Sequence, residues 1–283
     1  MDAVDHDFKN TVFSFVPNTA ESAFFGFVHS LEAKLLEQKK QKILKHGKNL
    51  SKEKLDKIMK RQVRVEKLVI KDAKLRTFIA DDSSRGELVS HVYDVTYGIV
   101  KNHKDTVVLL DDSIVRGTTL RDSIIGIVSR LKPKKIIIVS SAPQIRFPDC
   151  YGIDMSKMKN FVAFRALIEL LEENGKKKLI KKAYQRCKAA MELPLEEVKN
   201  EIAPLYNEFT QQEISARIAK IVTPKDIKVK VKVIYQTIDN LHKACPNHSG
   251  DWYFSGNYPT PGGNRIVNRA FIYYVEGIDK RAY

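Results

Sequence analysis

Cysteine is scarce in this 283-residue chain: three residues, Cys150, Cys187 and Cys245. Three thiols cannot build a disulfide framework, and they fall short of the four ligands usual for a structural zinc or an iron–sulfur cluster. A reducing, cytoplasmic setting fits that shortage. No apolar run approaches the ~20 residues of a membrane helix. The start, Met1-Asp2-Ala3-Val4-Asp5, is acidic and has no signal-peptide pattern. The seven histidines, at 6, 29, 46, 91, 103, 242 and 248, show no metal-ligand spacing. Internal repeats and low-complexity tracts are also missing. A secreted disulfide scaffold, a helical membrane protein and a His/Cys metal centre are thereby set aside.

What is present describes a globular protein: 43% hydrophobic and 29% charged residues. Lys and Arg number 49 against 34 Asp and Glu, a net charge of +15. Such a balance ordinarily points to nucleic acid or a membrane surface. Its distribution argues otherwise. Residues 32–67 hold 13 Lys/Arg and 5 Asp/Glu, and residues 175–188 hold 7 Lys/Arg and no acid. The rest of the chain sums to zero, and each basic segment reads first as a solvated helical face.

The pattern along the chain alternates strands and helices. Residues 12–16 read as a buried strand closed by Pro17-Asn18, and 19–38 as a helix with one apolar stripe. Residues 39–67 continue as helix, break and helix, with the break at His46-Gly47-Lys48-Asn49 and a cap at Ser51. That segment, 32–67, reads as an inserted basic hairpin. Residues 67–70 and 76–79 are strand candidates, and spacing predicts a helix over 85–100. Residues 106–110 and 135–140 are apolar, β-branched runs of the kind buried on both faces of a sheet. With the helix expected at 118–131 between them they form a right-handed βαβ unit. An extended loop covers 141–154, helices dominate 159–193 and 195–221, and 227–234 alternates as an edge strand. The Gly-, Pro- and aromatic-rich tail 249–263 reads as loop. The whole is α/β: a core over 1–160, then a helical extension, strand and tail over 161–283 that complete the same domain.

One stretch carries chemistry: Leu109-Leu110-Asp111-Asp112-Ser113-Ile114-Val115-Arg116-Gly117-Thr118-Thr119. A buried strand ends in two adjacent carboxylates at its C-terminal edge, where open α/β sheets bind ligands. The loop then offers a glycine, two hydroxyls and a helix N-terminus, the makings of an anion site. Carboxylates at one end and a phosphate cradle at the other match the chemistry of a sugar phosphate.

That string resembles the phosphoribosyl-pyrophosphate (PRPP) signature of type I phosphoribosyltransferases. Together with Ser140–Met155 (SSAPQIRFPDCYGIDM) it is similar to the phosphoribosyltransferase half of the glutamine PRPP amidotransferase family, which opens purine synthesis. The resemblance is closest over 107–154 and looser over 12–21, 76–79 and 254–260. It fades over 32–67 and most of 157–246. It implies a type I phosphoribosyltransferase fold, a mainly parallel sheet flanked by helices. Asp111 and Asp112 would meet the ribose hydroxyls, directly or through Mg²⁺. Ser113, Arg116, Gly117, Thr118 and Thr119 would hold the 5′-phosphate. Pro17, Asn18, Thr19 and Ala20 would form the pyrophosphate loop, with Asn-Thr-Ala where the family has Asp-Ser-Gly. Arg76 would belong to the catalytic loop that closes over PRPP, with Lys71 or Lys74 in place of a lysine lost from it.

The reaction so implied is attack of ammonia on C1 of PRPP, giving 5-phosphoribosylamine and pyrophosphate. The implied partners are PRPP, ammonia, purine nucleotides as inhibitors, further copies of the chain and a glutaminase domain with an N-terminal cysteine, which this sequence lacks. The chain is accordingly expected to be an excised C-terminal domain that uses free ammonia. Some relatives carry an iron–sulfur cluster, but Trp252 and Tyr253 stand where its cysteines would be, so no cluster is expected. Cys150 is read as packing beside Tyr151. Neither a membrane nor nucleic acid is an expected partner. The alternative is a regulator that keeps the PRPP motif, has lost catalysis and binds DNA through basic helices. A purine-salvage transferase would need an aromatic hood over a base, and none is evident.

Overall fold

The computed structural model describes residues 1–71, 93–149, 155–248 and 250–282. The chain divides into two compact units. The first comprises Met1–Asp112, Thr119–Ser141 and Thr223–Lys232, the second Ser113–Thr118, Ala142–Val222 and Val233–Tyr283.

The first unit is built on a sheet. β1 (Thr11–Phe15) is followed by α1 (Glu21–His46), α2 (Lys52–Met59) and β2 (Arg64–Val65). β3 (Val69–Lys71) and β4 (Tyr93–Val95) pair antiparallel as a separate two-stranded ribbon. β5 (Thr106–Asp111) leads through a π-helical turn (Leu120–Ile124) and α3 (Ile125–Ser129) to β6 (Lys135–Ser140). The strand order is β2-β1-β5-β6-β7, where β7 (Lys230–Tyr235) is the far edge and begins in this unit. β2, β1, β5 and β6 run parallel, with Phe13 beside Val108 and Val108 beside Ile137.

The reason for this order lies in the side chains. Val107, Leu109, Ile136 and Ile138 are completely buried, as a strand covered on both faces requires. Each such burial contributes about 1.5–3 kcal/mol. Phe24 and Phe27 of α1 pack on Phe15 and Phe13 of β1, with ring centroids 5.0 and 5.9 Å apart. At the sheet's other edge, Arg64 of β2 donates to the fully buried Asp105 at 2.8 Å and to the Ile99 carbonyl at 3.0 Å. The Lys101 N–H donates to the same carboxylate at 2.9 Å.

Several expectations are corrected here. α1 runs unbroken from Glu21 to His46, joining the helix expected over 19–38 to its expected continuation from 39, because 36–46 is almost all helix formers. The expected break does occur, over Gly47–Asn49, and Ser51 caps α2 by accepting from the Lys54 N–H at 3.3 Å. But α2 stops at Met59, and Arg64–Val65 leaves the hairpin to join the sheet. The helix expected over 85–100 is not formed by its described part: Tyr93–Val95 is strand, in register with β3, and 96–100 is irregular.

The second unit is helical. α4 (Val162–Glu173), α5 (Lys177–Met191), α6 (Ala203–Tyr206), α7 (Gln211–Val222), α8 (Ile238–Ala244), α9 (Trp252–Ser255) and α10 (Pro261–Glu276) follow in order. Phe164 of α4 meets Phe271 and Tyr274 of α10 edge-on, at 6.0 and 4.8 Å. Asn268 of α10 is fully buried. Its Oδ1 accepts from the Glu201 N–H at 3.1 Å, and its Nδ2 donates to the Lys199 carbonyl at 2.8 Å. The tail is less loop-like than its composition suggests. Trp252–Ser255 forms a helical turn, and Thr260 caps α10, which starts at Pro261.

Candidate active site

Parallel register decides what meets at the sheet edge. Phe15 lies beside Leu110, so the segments following β1 and β5 leave the sheet at the same C-terminal edge. Val16 extends the pairing, its N–H donating to the Leu110 carbonyl at 2.8 Å. The next residues turn at once into α1. The Asn18 carbonyl accepts from the Glu21 N–H at 3.2 Å, and the Ala20 carbonyl from the Phe24 N–H at 2.9 Å. Pro17 and Ala20 are buried, while Asn18 and Thr19 are exposed. Ala20 has φ −70°, ordinary for any L-residue, so this turn places no demand for glycine where the family has one.

At the neighbouring strand end stand Asp111 and Asp112, both half-buried. Their backbone is fixed from two sides. The Asp112 N–H donates to Asp111 Oδ1 at 3.1 Å. Ser141, just past β6, donates its N–H to the Asp111 carbonyl and its hydroxyl to the Asp112 carbonyl, each at 2.9 Å. Burial, and then the Asp112 charge, push the Asp111 carboxyl well above its usual value. Tyr93 of β4 feels the same field: burial and the two carboxylates push its phenol up to about 12. Lys71 of β3 has its Nζ 5.7 Å from the Tyr93 ring centroid. The first unit therefore brings together the turn 17–20, Asp111, Asp112 and Tyr93.

Two crowded carboxylates, with Asp112 raising the proton affinity of Asp111, suit a hard cation or a set of donated hydroxyls. Among the described residues, no group of three or more His, Cys, Asp and Glu could cage a metal. A pair of aspartates is nonetheless an adequate protein share for Mg²⁺, which keeps waters and takes substrate oxygens.

In the second unit, Ser113–Thr118 is held by α4. The Val115 carbonyl accepts from the Val162 N–H at 2.8 Å, and the Arg116 carbonyl from Arg165 Nη2 at 2.7 Å. Gly117 has φ +73°, and a Cβ there would lie 2.7 Å from Val222 Cγ1. Both facts require glycine. The chain then enters the helix spanning 118–129, with Thr118 and Thr119 exposed at its first turn. A π turn follows immediately at Leu120–Ile124, a departure common near functional sites.

Arg76, Lys74, the expected strand 76–79, Cys150 and Tyr151 lie outside the described residues. Tyr93 was missed by sequence reasoning, because it sat in a segment read as helix. Its signal was the alternation Tyr93-Asp94-Val95, which suits a strand equally well.

A parallel sheet whose central strand ends in paired carboxylates, followed by a Gly-Thr-Thr turn into a helix, sets acceptors and an anion cradle at the C-terminal strand ends, where open α/β sheets bind ligands. Curated relatives narrow the class: the chain is similar to amidophosphoribosyltransferases. It is 40% identical over 107 residues to that of Haemophilus influenzae, covering 37% of this chain and 21% of the relative. It is 49% identical over 57 residues to that of Escherichia coli, covering 20% and 11%. The match thus spans about a fifth, or less, of these relatives' length. No sequence model of a known family matches the chain. Among solved structures, the glutamine PRPP amidotransferase of B. subtilis, complexed with ADP and GMP, is 19% identical with a TM-score of 0.45, over 89% of this chain and 38% of that one. Among the described residues no helix is long and apolar enough to cross a membrane.

Proposed function

We propose that the chain transfers an amino group from ammonia to C1 of PRPP, as the PRPP half of an amidophosphoribosyltransferase acting in purine biosynthesis in the cytoplasm. The observation that carries this is the Asp111–Asp112 pair, anchored by Ser141 at the same sheet edge as the turn 17–20. The aspartates would accept the ribose 2′- and 3′-hydroxyls and hold Mg²⁺. Thr118, Thr119 and the amides from 116 onward would take the 5′-phosphate, and Asn18 and Thr19 the pyrophosphate. Arg76 would supply positive charge to the leaving group.

A nitrogen–C1 bond forms as the bond from C1 to the pyrophosphate oxygen breaks, and the bonding pair leaves with pyrophosphate. The new ammonium then loses a proton to solvent. Ammonia needs no activated nucleophile, so positioning and charge stabilisation carry the rate. Mg²⁺, when bound, would offset charge on the departing pyrophosphate. Purine nucleotides as inhibitors, assembly into homo-oligomers and supply of ammonia by a glutaminase domain belong to the same reading.

The experiment is pyrophosphate release from PRPP with ammonium and Mg²⁺. Release that depends on ammonium and falls at least a hundredfold in Asp111→Asn and Asp112→Asn supports the proposal. A folded sample without release, or unaffected variants, would sink it.

A further inference from the structure

The two basic segments of the sequence have different fates in the structure. In the second unit, α5 and its flanks are matched by acids. Lys176 pairs with Glu208, Lys177 with Glu172, Arg186 with Glu201 and Lys188 with Glu276, all within 3.1 Å. Residues 32–67 of the first unit carry their +8 without such matching. Among the described side chains, the ion pair these residues make is Arg64 with Asp105.

The same segment exposes apolar surface where a solvated face would be polar. Leu36 is 51% exposed, Leu44 78% and Met59 52%. No residue of α1 beyond Leu35 is buried, and α2 buries Ile58 alone. Between α1 and the strand β2 lies a groove of about 510 Å³, lined among others by Leu35, Leu36 and Val65, with the cations Lys39 and Arg61 against the single acid Glu32. Arg61 donates from Nη2 to Gln38 at 3.1 Å, but its Nη1 is buried without a hydrogen-bond partner. A guanidinium N–H left so is costly and calls for an acceptor. β2 is also the sheet's edge, paired on one side with β1.

We infer that this groove docks an extended, acidic segment of a partner protein, with apolar side chains seated between α1 and β2 and a carboxylate on Arg61. Charge selects the occupant. A second copy would bring together two segments that each carry a net positive charge, which repels. A nucleic acid offers nothing to the exposed leucines, and residues 32–67 contain no Phe, Tyr or Trp on which bases could stack. A lipid surface is flat and cannot reach into a groove to meet Arg61. An extended peptide along an open sheet edge satisfies all three demands at once: apolar contact, negative charge and backbone hydrogen bonds.

The test uses the whole chain and four labelled probes. They are a twelve-residue peptide alternating glutamate with valine or leucine, an oligoglutamate of equal charge, a DNA duplex, and phosphatidylserine vesicles. Saturable binding of the alternating peptide is expected, about tenfold or more tighter than that of the oligoglutamate. It should come with hydrogen-exchange protection over 61–65. Leu36→Asp and Arg61→Met should each weaken it at least tenfold. Thermal midpoints check that the variants fold, and Lys39→Gln serves as a milder second variant. The inference is overturned if oligoglutamate, duplex or vesicles bind as well as the alternating peptide, or if that peptide does not bind. It is equally overturned if folded variants bind unchanged, or if sedimentation shows a dimer that Leu36→Asp dissolves. Ammonium-dependent pyrophosphate release is read separately and should not change in these variants.

Discussion

Asp111→Asn is expected to make the ligand-free protein more stable while abolishing the PRPP-dependent release proposed above. Asp111 and Asp112 are adjacent, half-buried and of like charge. With an effective dielectric of ~20, two charges within hydrogen-bonding reach of one another, ~4–5 Å apart, repel by about 3–4 kcal/mol. Partial exposure brings this down to about 1–2 kcal/mol. An Asp whose carboxyl is raised in the folded state binds its proton more tightly folded than unfolded. Stability therefore falls as pH rises above the unfolded value near 4, and the penalty is present in full only above the raised folded value. Asparagine removes it and can still accept the Asp112 N–H through its amide oxygen. The assay is chemical denaturation at pH 4, 6 and 8. The variant should gain about 1–2 kcal/mol at pH 8 and almost nothing at pH 4. Mg²⁺ should stabilise the wild type and not the variant, by ~1.4 kcal/mol at ten times its dissociation constant. A variant less stable than wild type at pH 8 would refute the argument, because the charge would then be compensated within the fold.

Three other outcomes follow from single contacts. Gly117→Ala should cost about 1–3 kcal/mol in urea denaturation, since its Cβ would sit 2.7 Å from Val222 Cγ1 at positive φ. Asp105→Ala should cost about 3–5 kcal/mol, because it strands the Arg64 guanidinium and the Lys101 N–H. The gentler Asp105→Asn should fall between that variant and wild type. Of the two described cysteines, Cys245 should react with a disulfide reagent at pH 8 within minutes. Cys187, buried and with its thiol pushed up to about 12, should react only on unfolding.

The parts of this fold that were legible in the sequence are those where local pattern and tertiary demand agree. The runs 106–110 and 135–140 are apolar throughout and become the buried parallel strands β5 and β6. Asp111-Asp112 and Gly117 stood out because a buried strand, two acids, a glycine and two threonines fall in one string, and the structure sets the pair at the end of β5 and Gly117 at positive φ. The misreadings share a different cause. Tyr93–Val95 fits helical spacing as well as strand alternation, and only pairing with β3 decides it. Arg64–Val65 is strongly polar in context, and nothing local foretells that Asp105, far along the chain, will draw it into the sheet. The turn at 17–20 lost the family's glycine, and only its observed φ shows that alanine serves there.

Each compact unit is assembled from three separate stretches of chain. That interleaving has a consequence for synthesis on the ribosome. The sheet takes its last strand from Lys230–Tyr235, so it must wait with an open edge at β6 while the whole of Ala142–Val222 is made. Long-range closure of this kind is slow. The exposed flank of β6 is then a template for wrong pairing until β7 arrives. Nascent chains arrested before residue 230 should therefore depend on chaperones far more than the finished protein does.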